Sequence, residues 1–454
     1  MVYGALRLLF RILLGVFYRR VEVVGLEHVP ARGPLIVIAN HQNALVDPML
    51  VMTALPRRLR PVAKAPLFRH PVVAPFLHAV GAVPVHRRQE DVDPAAGPDR
   101  TAAGPERNEA MFGAASATLA AGDAMLIFPE GLSQPEPSLM PLRTGAARMA
   151  LAAESQHPGL GVALLPVGLV LHEPGTFRTG RASVVIGRPI VVEGPGGADV
   201  TTDERAVRAF TERLADELRL VIVEAENRET LRLLALLEAI AADGAPRDAA
   251  ARAAWMRGAM DAYRRLRGGA PVRASRFRTD VERYAKDLEL AGLGPTQPGR
   301  TYRAGAVWRF AVREGAALLG GLPLALWGIT AHAIPYRATA LAVRVRAPEP
   351  DEEATYKILA GLLLYPVCWL AESLLAWRVG GAPLAVLFAL SVLPSGFFAL
   401  TWQERLARFT RETRAFFRFL VDRDLDRRLA ARRRAIVDEM RELARLAESA
   451  PATR

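Results

Sequence analysis

Two long apolar stretches near the C-terminus, residues 358–377 and 380–401, limit what this chain can fold into more than any other feature. Each approaches the roughly 20 residues that an α-helix needs to cross a bilayer. The first carries Glu372, the second Pro383 and Pro394, and a further stretch at 315–335 is broken by Pro323. One such stretch can be the core helix of a soluble domain, but three in succession favour a membrane. Arg378 is the one charge in the short link between the first two, whereas 405–445 is crowded with arginines. Because basic residues gather on the cytoplasmic side, 358–401 reads as a hairpin with both ends cytoplasmic. Basic residues flank 315–335 on both sides (Arg309 and Arg313, then Arg337, Arg344 and Arg346). That suits a re-entrant or interfacial segment better than a third span.

At 454 residues the chain has room for more than one domain. Its net charge of +12 points to anionic partners: phosphorylated metabolites, acidic lipid surfaces or nucleic acid. Arginine outnumbers lysine beside abundant alanine and glycine, a bias of genome composition. Mean hydropathy is +0.14, and the excess is local. Cys368 is the single cysteine, so no intrachain disulfide and no thiolate metal site can form. Residues 1–20 begin apolar but carry Arg7 and Arg11, with Arg19 and Arg20 closing the segment, too short and too charged for a span. At helical spacing Val2, Leu6, Leu9, Leu13, Val16 and Phe17 share a face and both inner arginines turn away, as in an interfacial helix. Packing on the protein's own core is the other reading. Residues 404–454 form a basic helical tail whose start interleaves arginine with Phe409, Phe416, Phe417 and Phe419. Beside membrane stretches this fits a juxtamembrane helix on anionic lipid rather than a single-stranded nucleic-acid site, so no nucleic acid is expected as partner.

Residues 21–195 alternate short apolar runs with helical stretches. Strands are expected at 35–39, 61–64, 80–85, 124–128, 162–167 and 183–186, and helices near 48–55, 72–79, 107–121 and 143–153. This is the pattern of an α/β domain, a partly parallel central sheet flanked by helices. Residues 89–107, rich in Pro, Gly, Asp and Ala, read as a surface loop. Residues 196–300 are charged and helical, with Thr202-Asp203-Glu204 as a helix start, and make a connector without a catalytic cluster. The hydrophobic membrane helices follow in 301–403.

Chemistry gathers in the α/β part. After the first expected strand comes Asn40-His41-Gln42-Asn43-Ala44-Leu45-Val46-Asp47-Pro48, a polar cluster at a strand-to-helix junction. Such junctions are where α/β proteins tend to place their sites. Imidazole takes a proton near neutral pH, and a carboxylate fixes its tautomer and stabilises the imidazolium. The same run can instead cap a helix, with Asp47 satisfying backbone donors. Six steps of about 100° put His41 and Asp47 well apart on an ideal helix. They meet only if His41 stays in the loop and Asp47 reaches back from the first turn.

Three more clusters follow. Val83-Pro84-Val85-His86-Arg87-Arg88 ends a strand with two arginines suited to a phosphate. Phe128-Pro129-Glu130-Gly131-Leu132-Ser133 suggests a tight turn exposing backbone N–H groups, and it leads to a helix start with the basic pair Arg143 and Arg148. Leu165-Pro166-Val167-Gly168 ends a later strand. The histidines lack metal-ligand spacing, and neither a Gly-x-Ser-x-Gly elbow nor a P-loop pattern is present.

In this order, the four motifs resemble those of the glycerolipid acyltransferases, the family of glycerol-3-phosphate and 1-acylglycerol-3-phosphate acyltransferases. The resemblance covers residues 20–195. Commoner members place four residues between His and Asp; here there are five, which looks like the branch of yeast-type glycerol-3-phosphate/dihydroxyacetone-phosphate acyltransferases. One departure concerns the acceptor's head group: Gln134-Pro135-Glu136-Pro137 stands where His-Asp-Arg-Pro is expected, so a basic residue is missing.

The resemblance implies direct acyl transfer from acyl-CoA or acyl-ACP, as co-substrate, to a hydroxyl of glycerol 3-phosphate or 1-acylglycerol 3-phosphate. No cofactor, metal or acyl-enzyme is expected. By the same resemblance His41 is the general base and Asp47 holds its ring, while Arg87, Arg88 and Arg143 hold the acceptor's phosphate. Glu130, Gly131 and Ser133 belong to the substrate site, and the turn at Pro129 and the motif at Pro166 support the oxyanion. The partners implied are the thioester donor, a phosphorylated glycerol or lysolipid acceptor, and a bilayer. The place implied is a bacterial-type inner membrane with the catalytic part on the cytoplasmic face. Two alternatives stay open: an acyltransferase for another lysophospholipid, and a non-catalytic membrane-binding protein of the same fold.

Overall fold

A computed structural model of the chain describes residues 2–69, 73–85, 104–171, 177–178, 181–192, 203–242, 247–300 and 304–449. It falls into two compact units. The first joins Met1–Arg228 with Asp248–Ala253 and Pro350–Thr355; the second holds Glu229–Arg247, Ala254–Glu349 and Tyr356–Arg454.

The first unit is the expected α/β fold. Its elements are α1 (Val2–Phe17), β1 (Arg20–Val24), β2 (Leu35–Ala39), α2 (Val46–Ala54), β3 (Leu59–Lys64), α3 (Ala74–Val80) and β4 (Val83–Val85). Then come α4 (Gly104–Ala120), β5 (Ala124–Ile127), α5 (Gly145–Gln156), β6 (Ala163–Leu171), β7 (Arg181–Ile186), β8 (Ile190–Val191) and α6 (Glu204–Arg219). The sheet runs β1-β7-β6-β2-β5-β3-β4, with β8 also on β6. All pairs are parallel except β7 and β8, which run antiparallel to β6. Central strand β2 is apolar and buried at every position, as a strand covered on both faces must be. It lies between β5 and β6, with Ile38 beside Ile127 on one side and Pro166 on the other. Because β2 and β5 are parallel neighbours, the segments after Ala39 and after Ile127 leave the same edge of the sheet. That adjacency positions the site.

Several expectations shift. Residue 80 closes α3 rather than opening a strand, because Gly81 ends the helix and pairing starts only at Val83. The expected loop 89–107 lies outside the described residues up to 103, and from Gly104 the chain is helical. Helix α1 packs on α2 and α3 and buries Phe10, Leu14 and Phe17, with Phe10 against Phe76 of α3, while Val2, Leu8 and Ile12 stay exposed. Arg7 does not turn away: its guanidinium donates to Thr53 O (3.1 Å) and Leu55 O (2.6 Å). The last carbonyls of α2 have no partner within the helix and attract a cation, which is why this arginine faces inward.

Helix α6 starts at Asp203, whose side chain accepts from the N–H groups of Arg205 and Ala206, and it buries Val207, Leu214 and Leu218 against the sheet. The first unit therefore runs past residue 195 to Arg228. Beyond α6 the chain lies directly on β6. A Cβ on Gly168 would sit 2.0 Å from Val221 O, so only glycine lets the two backbones approach so closely.

The second unit is helical. It contains α7 (Arg228–Ala241), most of α8 (Ala249–Gly269), α9 (Pro271–Ala291), α10 (Ala304–Ala331), α11 (Ala333–Arg346), α12 (Glu353–Val421) and α13 (Arg423–Ser449). Among the described residues, Gly305–Ala331 and Glu353–Val421 are long and apolar enough to cross a membrane. Their outward side chains include Leu319, Leu363, Leu370 and Leu390. Helix α12 leaves helical geometry at Gly380 and Gly381, which open the second of the two stretches singled out in the sequence, while α10 continues through Pro323. The tail is not a free helix: Ile240, Val281, Tyr284 and Leu288 share a core with Ala415, Phe419, Leu429 and Ile436. Phe417, by contrast, is exposed.

Overpacking the contact at β6 should be costly. Gly168→Ala is expected to lower stability by about 2–3 kcal/mol, seen as a lower thermal unfolding midpoint in detergent. Gly113→Ala, in open space on α4, should leave the midpoint unchanged or raise it.

Candidate active site

His41 lies in the loop after β2, and Asp47 lies in the first turn of α2. Asp47 reaches back, and His41 Nδ1 sits 2.9 Å from its Oδ2. That oxygen also accepts the N–H groups of Gln42 and Asn43, each at 2.6 Å. The two uses the sequence left open, satisfying loop donors and holding an imidazole, fall to one carboxylate. Asp47 is fully buried, and its Oδ1 has no hydrogen-bond partner among the described residues. With Nδ1 engaged by the carboxylate, Nε2 is left as the ring's basic nitrogen. The ring stacks on Phe128, with centroids 4.1 Å apart and planes 19° from parallel, and about 15 % of the side chain remains exposed.

The turn after β5 supplies the second anchor. Gly131 N–H closes it on Phe128 O (3.0 Å), so this amide points into the turn and not outward as expected. Glu130 Oε1 accepts from His41 N–H (2.7 Å) and Oε2 from Met140 N–H (2.9 Å). Each of its oxygens accepts one backbone N–H, so it ties the His41 loop to the turn. Burial pushes the Glu130 pKa up to about 6, against the opposing pull of those two N–H groups. Gly131 has φ +81°, and a Cβ there would meet Arg143 Nε at 2.7 Å. Arg143 donates its N–H to Pro129 O (2.8 Å) and lays an exposed side chain over this glycine.

Other expected site residues are placed differently. Ser133 Oγ donates to Asp351 Oδ2 at 2.5 Å. Pro166 is inside β6, which runs on to Leu171, and its carbonyl accepts Gly187 N–H (2.8 Å). A proline has no N–H, so it offers an oxyanion no donor. Arg87 and Arg88 lie outside the described residues. One residue that holds the site was given no role. The Asn40 amide pairs with both backbone groups of Leu169 (2.7 and 3.0 Å), extending the β2–β6 pairing by one residue. It stood inside the motif, but nothing near it in the sequence pointed to Leu169 as its partner. Tyr18 is buried, and burial together with the charge of Asp47 drives its pKa far up, keeping the phenol neutral. The run 133–140 is braced from beyond α6: Leu139 N–H donates to Glu224 (3.1 Å), Ala225 N–H to Pro137 O (2.9 Å), and Arg228 to Pro135 O.

The comparisons converge on this part of the chain. Residues 20–170 match the family model described as acyltransferase. This region is an acyltransferase-family domain. An uncharacterized acyltransferase of Schizosaccharomyces pombe is 26 % identical over 51 % of this chain and 46 % of its own length. Glycerol-3-phosphate O-acyltransferase 2 of Saccharomyces cerevisiae is 25 % identical over 51 % of this chain and 44 % of its own. The 1-acyl-sn-glycerol-3-phosphate acyltransferase alpha of Bos taurus is 26 % identical over 40 % of this chain and 58 % of its own. The chain thus spans about half the length of the curated relatives it matches. His41, Asp47, Glu130 and Arg143 all fall within the acyltransferase domain; Asp351 does not.

Buried Glu130 gives that domain a pH signature. Its folded pKa lies above the ordinary 4.5, so its contribution to stability is full below pH 4.5 and is lost as pH rises through about 6. At about 1.4 kcal/mol per unit, the loss is about 2 kcal/mol. Glu130→Gln should remove this slope from unfolding midpoints measured between pH 4.5 and 7; parallel curves for the two proteins would refute the assignment.

Proposed function

We propose that this protein is a membrane-bound O-acyltransferase that moves a fatty acyl group from acyl-CoA or acyl-ACP to a hydroxyl of glycerol 3-phosphate or 1-acylglycerol 3-phosphate. The observation that carries the reading is the His41–Asp47 contact of 2.9 Å, with the ring partly exposed, inside an acyltransferase-family domain. As the acceptor oxygen attacks the thioester carbonyl, its proton passes to His41 Nε2. Asp47 steadies the imidazolium, the role a carboxylate has in a Ser-His-Asp triad, with the substrate hydroxyl in place of serine. The tetrahedral intermediate collapses, the C–S bond breaks, and His41 returns the proton to the departing sulfur. The scheme needs no metal and no cofactor beyond the thioester.

Arg143, exposed over Gly131, together with Arg87 and Arg88, would hold the acceptor's phosphate. The acceptor class is supported by relatives named for glycerol 3-phosphate and for 1-acyl-sn-glycerol 3-phosphate. A place at a bilayer is supported by the two long apolar helices and by the exposed Val2, Leu8 and Ile12 of α1. The arginine distribution around 358–401 favours the cytoplasmic face of a bacterial-type inner membrane. A second reading, another lysophospholipid acceptor, is favoured by the exposed Glu136 where the resemblance expects an arginine.

Purified protein offered an acyl-CoA with glycerol 3-phosphate, lysophosphatidate or a panel of other lysophospholipids should esterify one of the first two. His41→Ala should lower turnover by at least about 100-fold, and Asp47→Asn should reduce it severely. Arg87→Ala and Arg143→Ala should chiefly raise the acceptor's KM. Wild-type turnover in His41→Ala would remove His41 as the base.

A further inference from the structure

Every backbone N–H of the loop from His41 to Asp47 has an acceptor. His41 N–H goes to Glu130 Oε1 (2.7 Å), and those of Gln42 and Asn43 go to Asp47 Oδ2 (2.6 Å each). Val46 N–H goes to Asn43 Oδ1 (3.2 Å). Two donors remain, Ala44 and Leu45, which neither Glu130 nor Asp47 takes. Both are met by a segment some 300 positions away in the chain: Ala44 N–H by Asp351 O (3.3 Å) and Leu45 N–H by Thr355 Oγ1 (3.1 Å). The Thr355 hydroxyl then donates to Asn43 Oδ1 (3.2 Å), so it acts as acceptor and donor within one loop. Asp351 and Ala354 are buried, and the Asp351 carboxylate takes the hydroxyl of Ser133 at 2.5 Å. Pro350–Thr355 thus belongs to the first unit and touches both the His41 loop and the segment after the Glu130 turn. In sequence it runs straight on into α12, a helix long and apolar enough to cross a membrane.

We propose that residues 351–355 are a strap that holds the His41–Asp47 loop in its reactive shape, with Thr355 and Asp351 as positioning residues. This rests on the acyl-transfer reading and adds to it. Residues 20–170, which carry the family match, do not contain everything the site needs, because two of the loop's donors are answered from near 350. Five residues between His41 and Asp47 make a loop too long for one carboxylate to satisfy, and the strap answers the surplus. A donor left without an acceptor in a half-buried loop turns toward water, and His41 would move with it.

The test compares full-length wild type with Thr355→Val, Thr355→Ala and Thr355→Ser in detergent. Hydrogen exchange over 40–47 is read first, with slow exchange across β2 showing that the fold is intact. Thr355→Val and Thr355→Ala should speed exchange at Ala44 and Leu45 about tenfold, and Thr355→Ser should restore it. Under saturating thioester and acceptor, kcat should fall by about 10- to 100-fold in Thr355→Val, with each KM within about twofold of wild type and kcat recovered by Thr355→Ser. Loop exchange and kcat that both match wild type in Thr355→Val overturn the strap, as does faster exchange with unchanged kcat. A wild-type chain that transfers no acyl group sinks the acyl-transfer reading instead.

Discussion

One oxygen of Asp47 receives an imidazole nitrogen and two backbone N–H groups while the residue is sealed from solvent. A buried carboxylate is tolerated only where such donors surround it, so the loop and the acid require each other. The loop bends because the carboxylate draws its amides in, and the carboxylate stays because the loop has bent. His41 is oriented by the same act. The ring is further confined by Phe128, which stacks on it from the neighbouring turn. Preorganisation of this kind lets the proposed base meet a substrate hydroxyl without first rearranging.

Sheet order turns that local arrangement into a site. Strand β2 lies between β5 and β6, so the His41 loop, the Glu130 turn and the upper part of β6 stand side by side. Glu130 bridges two of them through backbone donors, and Asn40 stitches the loop to β6 through Leu169. Both are buried polar side chains that would be costly alone and are satisfied by backbone. Gly168 marks a place where a neighbour, the Val221 carbonyl, comes too close for any Cβ, and Gly131 one where a φ of +81° favours glycine. The motif glycines therefore record packing as much as chemistry.

Much of this was legible in the residues. Six strands announced themselves as apolar runs, and the α/β class followed. The apolar stretches 358–377 and 380–401 were read as a hairpin linked at Arg378, and the helix leaves helical geometry just beyond that link, at Gly380 and Gly381. What stayed hidden depended on partners far away in the chain. β1 alternates charged and apolar residues, and its pairing with β7 cannot be read from either strand. Arg7 was assigned outward from helical spacing alone, because the carbonyls that hold it belong to α2. Glu130 was read as a substrate-site residue, and a conspicuous acid beside a turn gives no hint that it also binds two backbone amides.

The order of the motifs and the period of the apolar residues determined the class of fold, the region that matches the acyltransferase family and the His41–Asp47 pair proposed as its catalytic centre. Those are local signals: a side-chain type, a spacing and a hydrophobic repeat are written within a few residues of one another. Only the tertiary structure decided how the pair meets, that the Gly131 amide points into its own turn, and that Asp351 and Thr355 answer the loop's remaining donors. A hydrogen bond between positions 45 and 355 depends on where the sheet and the helices carry each residue, and no spacing along the chain encodes that distance.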